Sequence, residues 1–514
     1  MCLAKENESK NDERETLPKQ RIGFLKSIYY YFSEFSNNTG IHGFKYLVER
    51  ERCFIERLFW FTVLCVCMYT CGSLIYLTFK RWKTNPIFIS FTSKPLWEVP
   101  FPAVTVCPEN QVKRRSYNYT YQESRLSNIT GIEWDQFESV YAHCPRAHTQ
   151  RYFSNRLVDS DGFEFFITHA TSVRDILGAS PDLWLVNKKH ETRFAPIITD
   201  GGLCFSFNML HQSELFTNVT YLSKYRVESE KSKHWSVDDN YDDTTEKVFP
   251  LRVTSVRKMF YFRFGTHKDD IDYNCDAEQG FKIILHHPAE IPTVLTRYIL
   301  AAHHQTYSLW IRPDVSTTSS KLKEYDPHAR NCLFSNERSL KYYKIYTQRN
   351  CEIECLANYT LNKCGCVSFY MPHESSTKMC GFYQEEFCVK RAAEELTRLD
   401  LEFKMSRGDV FNQNGSCDCL PSCTSITYNT EISQNMENNT SSNEYYFTQL
   451  NMRFRDGNFL VLERDALFSN TDFWASCGGL FGLFTGFSVM SLVEIIYFLF
   501  FRWICNLRNL CRQE

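Results

Sequence analysis

Two long uncharged runs interrupt an otherwise mixed pattern of apolar and polar residues. The first covers residues 58–79, and the second covers 473–501 with Glu494 as its single charge. A helix needs about 20 apolar residues to cross the hydrocarbon core of a bilayer. Both runs are therefore predicted to be transmembrane helices, with a buried core helix as the alternative. Because a largely polar segment precedes the first run, it is not a cleavable signal peptide.

Two membrane spans place both termini on one side of the membrane. The predicted regions are a cytosolic N-terminal region at 1–57, a first span at 58–79, an extracellular domain at 80–472, a second span at 473–501 and a cytosolic tail at 502–514. Basic residues flank the first run on both sides, so the positive-inside rule orients the chain only weakly. The orientation depends instead on the sites for N-linked glycans.

Asn-x-Ser/Thr triplets concentrate between the two runs. Seven acceptor asparagines lie there: Asn118, Asn128, Asn218, Asn358, Asn414, Asn438 and Asn439. This clustering indicates that the central region faces the secretory lumen. An eighth, Asn37, falls on the predicted cytosolic side and is expected to stay unmodified.

Charge and cysteine content narrow the class of protein further. The chain has 58 Lys and Arg against 60 Asp and Glu, and this balance gives no general attraction to nucleic acid. Of its 22 cysteines, fourteen lie between the runs. An even number of cysteines in an oxidising compartment indicates disulfides. The sequence therefore predicts a cell-surface membrane protein with a large bridged ectodomain and no nucleic-acid partner.

The central region mixes strand and helix patterns. Short runs that are typical of strands occur at 101–107, 202–208, 281–285 and 306–311. Strong helix formers predict helices at 339–358 and 390–403. An α+β ectodomain is therefore expected.

A second cluster of cysteines has a spacing that favours parallel bridges. Cys351 and Cys355 share one face of a helix, and Cys417 and Cys419 share one face if they lie on a strand. The nested pairing is Cys332 with Cys423, Cys351 with Cys419, Cys355 with Cys417, Cys364 with Cys388, and Cys366 with Cys380. A zinc site is the alternative, although paired C-x2-C motifs are missing. No metal or other cofactor is expected, and Cys144 and Cys275 stay unassigned.

The second run contains two features that a plain membrane anchor does not need. Gly478, Gly482 and Gly486 recur every fourth residue, a spacing that lets membrane helices pack closely. A carboxylate such as Glu494 costs about 2.5–3.5 kcal/mol in the bilayer centre unless it faces water or a partner. A water-filled path would remove most of that cost; the alternative is an interfacial acid that reaches the headgroups. The triplet 486–488 also suits a broken helix whose carbonyls line a wet cavity.

Several motifs, in this order, resemble the degenerin/epithelial sodium channel family, most closely its insect pickpocket branch. They are His42-Gly43, FPAVTVCPEN at 101–110, GLCFSFN at 202–208, NCEIEC at 350–355, CDCLPSC at 417–423 and GGLFGLFTGFSVMSLVEIIYF at 478–498. The resemblance implies a trimer whose ectodomain is a hand with palm, thumb and finger. It also implies a cation pore that favours sodium and is often blocked by amiloride.

The resemblance assigns roles to individual residues. Gly486, Phe487 and Ser488 occupy the selectivity filter, and Glu494 matches the acid on its cytoplasmic side. Ala475 falls at the degenerin site, where bulkier residues hold the pore open. His42 and Gly43 match the cytosolic gating motif, and Cys107 would bridge to Cys204. Acid-sensing members carry a tryptophan where this chain has Ala329, which argues against proton gating by that route.

The expected function is that of a pore-forming subunit of a sodium-selective channel at the plasma membrane, gated through its extracellular domain. Sodium ions are the permeant species, related subunits complete a homo- or heterotrimer, and the extracellular ligand or stimulus is unknown. The alternative is a non-conducting auxiliary or receptor subunit. An enzyme is not expected, because the sequence has no H-E-x-x-H, no G-x-S-x-G and no phosphate loop.

Overall fold

The computed structural model describes fourteen stretches of the chain. They are residues 33–49, 52–84, 87–128, 131–144, 157–158, 160–177, 194–225, 231–237, 240–241, 248–275, 279–405, 417–436, 444–466 and 470–502. These residues divide into two compact units. The helical unit belongs to Met1–Pro86 and Leu467–Glu514, and the sheet unit is Ile87–Ala466.

Three helices are described in the N-terminal part of the helical unit. They are α1 at 33–38, α2 at Phe44–Val48 and α3 at Phe54–Thr84. Helix α3 extends beyond both ends of the run at 58–79, and its part Phe54–Lys83 is long and apolar enough to cross a membrane. It is the one unbroken helix in the described part of the chain with that property.

The second apolar run is a pair of helices and not one straight span. Helix α13 is Asn470–Thr485, and helix α14 is Val489–Ile496, which continues as a π-helical segment to Arg502. The two parts are bent by 76° at the triplet that the sequence singles out as a helix break. The predicted helix break at 486–488 is therefore confirmed, and the pair forms either one broken span or a re-entrant loop. Helix α13 lies against α3, where Trp82 stacks on Phe473 at a ring-centroid distance of 5.0 Å.

Thirteen strands are described in the sheet unit. They are β1 Ile87–Pro95, β2 Ala103–Pro108, β3 Ala195–Thr199, β4 Gly202–Phe207, β5 Trp235–Ser236, β6 Asn240–Tyr241, β7 Phe260–His267, β8 Gly280–His286, β9 Ile299–Ala302, β10 Gln305–Thr318, β11 Ser425–Met436, β12 Tyr445–Phe454 and β13 Asn458–Ala466. The larger sheet has the order β1-β13-β10-β12-β7, with β11 also paired to β10. The second sheet has the order β3-β4-β2-β8-β9, and β5 pairs with β6.

Phenylalanine side chains from both sheets form the centre of the main core. Phe101 packs on Phe260 at a centroid distance of 4.2 Å, and Phe207 packs on Phe262 at 5.4 Å. Strand β10 alternates buried and less buried residues over much of its length, which matches the two-residue repeat of a strand. Aromatic and β-branched residues thus fill the space between the sheets, as strand propensities predict.

Nine helices complete the sheet unit within the described residues. They are α4 Tyr119–Ser124, α5 Ile132–Tyr141, α6 Ser160–His169, α7 Val173–Leu177, α8 Gln212–Leu215, α9 Pro327–Arg330, α10 Gln348–Cys364, α11 Phe382–Gln384 and α12 Lys390–Met405. The predicted helix at 339–358 begins too early, because Thr347 is the N-cap of α10 and its side chain accepts the Asn350 N–H. Gly365, with φ 71°, ends the same helix.

Seven disulfides cross-link the sheet unit. They are Cys107–Cys204, Cys144–Cys275, Cys332–Cys423, Cys351–Cys419, Cys355–Cys417, Cys364–Cys388 and Cys366–Cys380. The nested pairs are thus present, and Cys144 pairs with Cys275. The placement of Cys417 and Cys419 on a strand is wrong, because residues 417–420 form no strand and Asp418 between them has φ 44°. Since these sulfurs are bonded to one another, the zinc alternative does not apply to the cluster.

A fully buried arginine, Arg330, fixes the backbone of the segment that precedes the Cys332–Cys423 disulfide. Arg330 pairs with Glu337. Its Nε donates to the Cys332 carbonyl at 3.0 Å, and its Nη1 donates to the Tyr325 and Leu322 carbonyls at 3.0 and 3.2 Å. Because a buried guanidinium is tolerated only when its donors are satisfied, this network fixes the chain around the Cys332–Cys423 bridge.

Replacing Arg330 by methionine is expected to destabilise the sheet unit by about 3 kcal/mol, because Glu337 and several carbonyls lose their donor. The measurement is the thermal unfolding midpoint of the purified full-length protein. Arg312→Met is the control, since Arg312 is exposed and its Nε lies 3.6 Å from Asp314. Equal midpoints for the two variants would contradict a stabilising role for the buried network.

Candidate functional site

The break between α13 and α14 is built by a glycine and a serine. Gly486 has φ 67°, a left-handed conformation that glycine adopts without strain. Ser488 then caps α14: its Oγ accepts the Ser491 N–H at 3.3 Å, and the Ser491 Oγ accepts the Ser488 N–H at 3.2 Å. This reciprocal capping box satisfies backbone donors that the break would otherwise leave without a partner. Helix α13 therefore ends directly before the G-x-S triplet, and helix α14 begins directly after it.

The His-Gly motif lies against this break. The backbone N–H of His42 donates to the Thr485 carbonyl at 3.0 Å. The His42 imidazole lies so close to Gly486 that a methyl group on Gly486 would overlap its Nδ1. Two motifs separated by more than 400 residues in sequence are thus in direct contact, and Gly486 is required both for its φ angle and for this approach.

Gly43 is constrained in a similar way. It has φ 92° and precedes α2, and a methyl group there would lie 3.0 Å from Cδ2 of Leu64 on α3. The His-Gly motif therefore lies between the break at 486–488 and helix α3.

Glu494 has a backbone partner from the same N-terminal segment. Its Oε2 accepts the Gly40 N–H at 2.9 Å, and the carboxylate is half-buried. A methyl group on Gly40 would lie 3.6 Å from the Ser491 Oγ, so the segment passes close to the start of α14 as well. Among the described residues, the Glu494 carboxylate thus bonds to no basic side chain, but to a backbone N–H of the N-terminal segment.

Two further contacts join α1 to the end of the second run. Nη2 of Arg502 pairs with Oε1 of Glu34 at 2.6 Å. The rings of Phe35 and Phe498 meet edge to face at 5.6 Å. Sequence reasoning missed both contacts and also missed Thr485 and Gly40, because no pattern along the chain links residues so distant from each other.

One face of α13 has no packing partner among the described residues of the protomer. Methyl groups on Gly478 or Gly479 would meet no atom within 4 Å, and Ala475 is exposed. Gly478 and Gly479 therefore do not serve contact with α3, whereas Gly482 and Gly486 of the same spacing lie near the Phe487 carbonyl and His42. Ala475, Gly478 and Gly479 leave a smooth face that a neighbouring helix can approach closely.

Four of the seven predicted glycan acceptors lie in the described residues. Asn128, Asn218 and Asn358 are exposed, and the Asn118 side chain accepts the Tyr121 N–H as the N-cap of α4. The remaining acceptors lie outside the described residues: Asn414, Asn438 and Asn439. In the described part of the chain, no group of three or more His, Cys, Asp or Glu residues is arranged to hold a metal ion.

The sequence profile of the amiloride-sensitive sodium channel family matches residues 35–498. The match includes the first apolar run, all of the sheet unit and the second run up to residue 498. The chain belongs to this family. The resemblance to degenerin/epithelial sodium channels is thereby confirmed, and the contacts at the helix break are features of a sodium channel family member.

Relatives of the amiloride-sensitive sodium channel family align with almost the whole chain. Pickpocket protein 28 of Drosophila melanogaster is 26% identical over 99% of this chain and 84% of its own length. Sodium channel protein Nach of the same fly is 23% identical over 93% of this chain and 88% of its own length. The human bile acid-sensitive ion channel is 22% identical over 92% of this chain and 86% of its own length. The chain is thus a pickpocket-like family member.

Gly486→Ala is expected to reduce the yield of monodisperse full-length protein sharply, because the new methyl overlaps His42 and the left-handed backbone costs about 1 kcal/mol more for alanine. The combined change with His42→Ala should recover part of the loss, since it removes the overlap but not the backbone strain. The measurement is the size-exclusion profile of each variant in detergent.

Gly72→Ala is the matched control, because a methyl group on that α3 glycine meets no atom within 4 Å. If the two changes at Gly486 and His42 were strictly additive, the contact between the two motifs would be refuted.

Proposed function

We propose that the chain is a pore-forming subunit of a sodium-selective cation channel in the plasma membrane. The observation that carries this proposal is the bent pair α13–α14, whose break at 486–488 is capped and in contact with His42. Irregular backbone at membrane depth is tolerated where it lines a water-filled cavity or is buried in protein. A family of sodium channels supplies the remaining support.

The topology proposed has both termini in the cytosol. Helix α3 forms the first span, the α13–α14 pair forms the second span, and the sheet unit is the extracellular hand with palm, thumb and finger. The seven disulfides of the sheet unit support an oxidising, extracellular location for it. The acceptor asparagines of the sheet unit would then carry glycans.

The selectivity step is assigned to Gly486, Phe487 and Ser488. In a trimer, three copies of the break would surround the axis, so that backbone carbonyls and Ser488 hydroxyls could replace part of the water shell of a cation. Glu494 lies one to two helical turns beyond the filter and would raise the local cation concentration. The unpartnered glycine face of α13 supports close packing against related subunits, whether identical or different.

Gating is assigned to the packing of α13 near Ala475. A small residue there permits close approach of neighbouring pore helices, and a larger side chain would clash with the closed arrangement. The contacts of His42 and Gly40 with α14 would let the N-terminal segment stabilise one state of the break. An extracellular stimulus acting on the sheet unit would shift the balance between the closed and open states.

Glycosylation tests the topology. Asn218→Gln and Asn358→Gln are each expected to increase the electrophoretic mobility of the protein from cells by one glycan, because both side chains are exposed. Asn37→Gln is the control and should leave mobility unchanged, since this exposed acceptor would be cytosolic. A shift with Asn37→Gln, together with none for the other two, would reverse the orientation.

Whole-cell current tests conduction. Ala475→Val expressed alone is expected to give a constitutive inward current that disappears when a large organic cation replaces external sodium. Ser488→Ala in the same background should change the ratio of sodium to potassium permeability. Ala475→Ser, which keeps the side chain small, is the matched control and should stay closed. Silence of the valine variant at the cell surface would contradict a self-sufficient homotrimer and favour a non-conducting subunit that needs a partner.

A further inference from the structure

Helix α14 buries a polar side chain and exposes apolar ones. Among the residues Val489–Ile496, all of which the structure describes, only Ser491 is buried, with 2% of its surface exposed. Its neighbours Met490 and Leu492 are 67% and 48% exposed. Apolar side chains of a spanning helix can face lipid without penalty, whereas a serine hydroxyl in hydrocarbon needs a hydrogen-bond partner. The burial of Ser491 therefore indicates a polar contact inside the protein.

The N-terminal segment helps to shield Ser491. A methyl group on Gly40 would lie 3.6 Å from the Ser491 Oγ, which is an ordinary van der Waals distance. The Gly40 N–H donates to Glu494, which lies three residues beyond Ser491 and on the same side of α14. Ser488, three residues before Ser491, is instead exposed. Of the two serines, only Ser488 is therefore placed to touch a passing cation.

Three polar contacts join the two serines. The Ser491 Oγ accepts the Ser488 N–H at 3.2 Å, and the Ser488 Oγ accepts the Ser491 N–H at 3.3 Å. The two hydroxyl oxygens lie 3.4 Å apart, at the long end of the hydrogen-bond range. The orientation of the exposed Ser488 hydroxyl is therefore coupled to the buried Ser491.

The Ser488 hydroxyl has two possible orientations in this contact. A hydroxyl group carries one hydrogen and two lone pairs, and the Ser491 N–H uses one lone pair of Ser488. If Ser488 donates its hydrogen to Ser491, its second lone pair stays available to a cation. If Ser491 donates instead, both lone pairs of Ser488 are used, and its hydrogen points outward. Because cations bind oxygen lone pairs, only the first orientation suits a cation filter.

The Ser491 Oγ matches the first orientation, because its two lone pairs can accept both the N–H and the O–H of Ser488. We propose that Ser491 is a positioning residue of the filter, whose oxygen holds the Ser488 hydroxyl so that one lone pair of Ser488 faces the cation path. This role rests on the proposed function, since it takes Ser488 as a group that contacts sodium. A helix cap alone would need only the N–H bond and would leave cation selection unchanged.

Currents through the full chain test the role of Ser491. In the Ala475→Val background, Ser491→Ala should lower the ratio of sodium to potassium permeability by about threefold or more, the size of effect of one lost hydrogen bond. Ser491→Thr keeps a hydroxyl on the same carbon and should keep the ratio. Ser36→Ala is the matched control: Ser36 is buried in α1, its hydroxyl has no partner among the described residues, and its loss should leave the ratio unchanged.

The thermal unfolding midpoint of the purified full-length protein in detergent tests the same contact without current. Ser488→Ala leaves the bond from the Ser488 N–H to Ser491, and Ser491→Ala leaves the bond from the Ser491 N–H to Ser488. The two single changes thus share only the contact between the hydroxyls. The double variant should therefore lower the midpoint by less than the sum of the two single changes.

Each possible outcome decides one of the two claims. An unchanged permeability ratio in Ser491→Ala, an equal loss in Ser491→Thr, or additive changes of the midpoint would overturn the positioning role. Silence of every variant at the cell surface would instead contradict the proposed pore. The midpoint measurements would then still decide whether Ser491 holds the Ser488 hydroxyl.

Discussion

A helix that breaks inside an apolar run must find new partners for its backbone, and this constraint organises the helical unit. The Thr485 carbonyl accepts the His42 N–H, and the capping box of Ser488 and Ser491 satisfies donors at the start of α14. The N-terminal segment thus supplies the partner of one carbonyl at the break. The His-Gly motif, the glycine at 486 and the acid at 494 therefore form one arrangement, in which each position limits the residues allowed at the others.

The sheet unit follows a different constraint. Its strands bury an aromatic core, and covalent bridges join α10 to residues 417–420. Cys351 and Cys355 join one helix to an irregular segment, 417–420, that has no ladder of its own. Arg330 adds polar support nearby. The bridges thus fix a region whose backbone does not pair with a sheet.

The sequence predicted this architecture where one local signal was sufficient. The two apolar runs, the strand at Gly202–Phe207 and the helix break at 486–488 each depend on neighbouring residues and a known periodicity. Prediction from the sequence failed where the deciding contact joins residues that are far apart in the chain. Nothing near Ser339 indicates that α10 begins only after Thr347. Nothing near Glu494 indicates that its carboxylate accepts the Gly40 N–H.

The bond between Gly40 and Glu494 joins residues 454 positions apart. During synthesis, Gly40 leaves the ribosome long before its docking surface on α14 is made. The whole sheet unit, with its seven bridges, must be completed in between, and domains generally fold in the order in which they are made. Docking of the N-terminal segment on α14 is therefore a late step of folding. A chain that stops before α14 cannot form this contact. This arrangement makes docking of Gly40 a mark of a protomer that has been translated through α14.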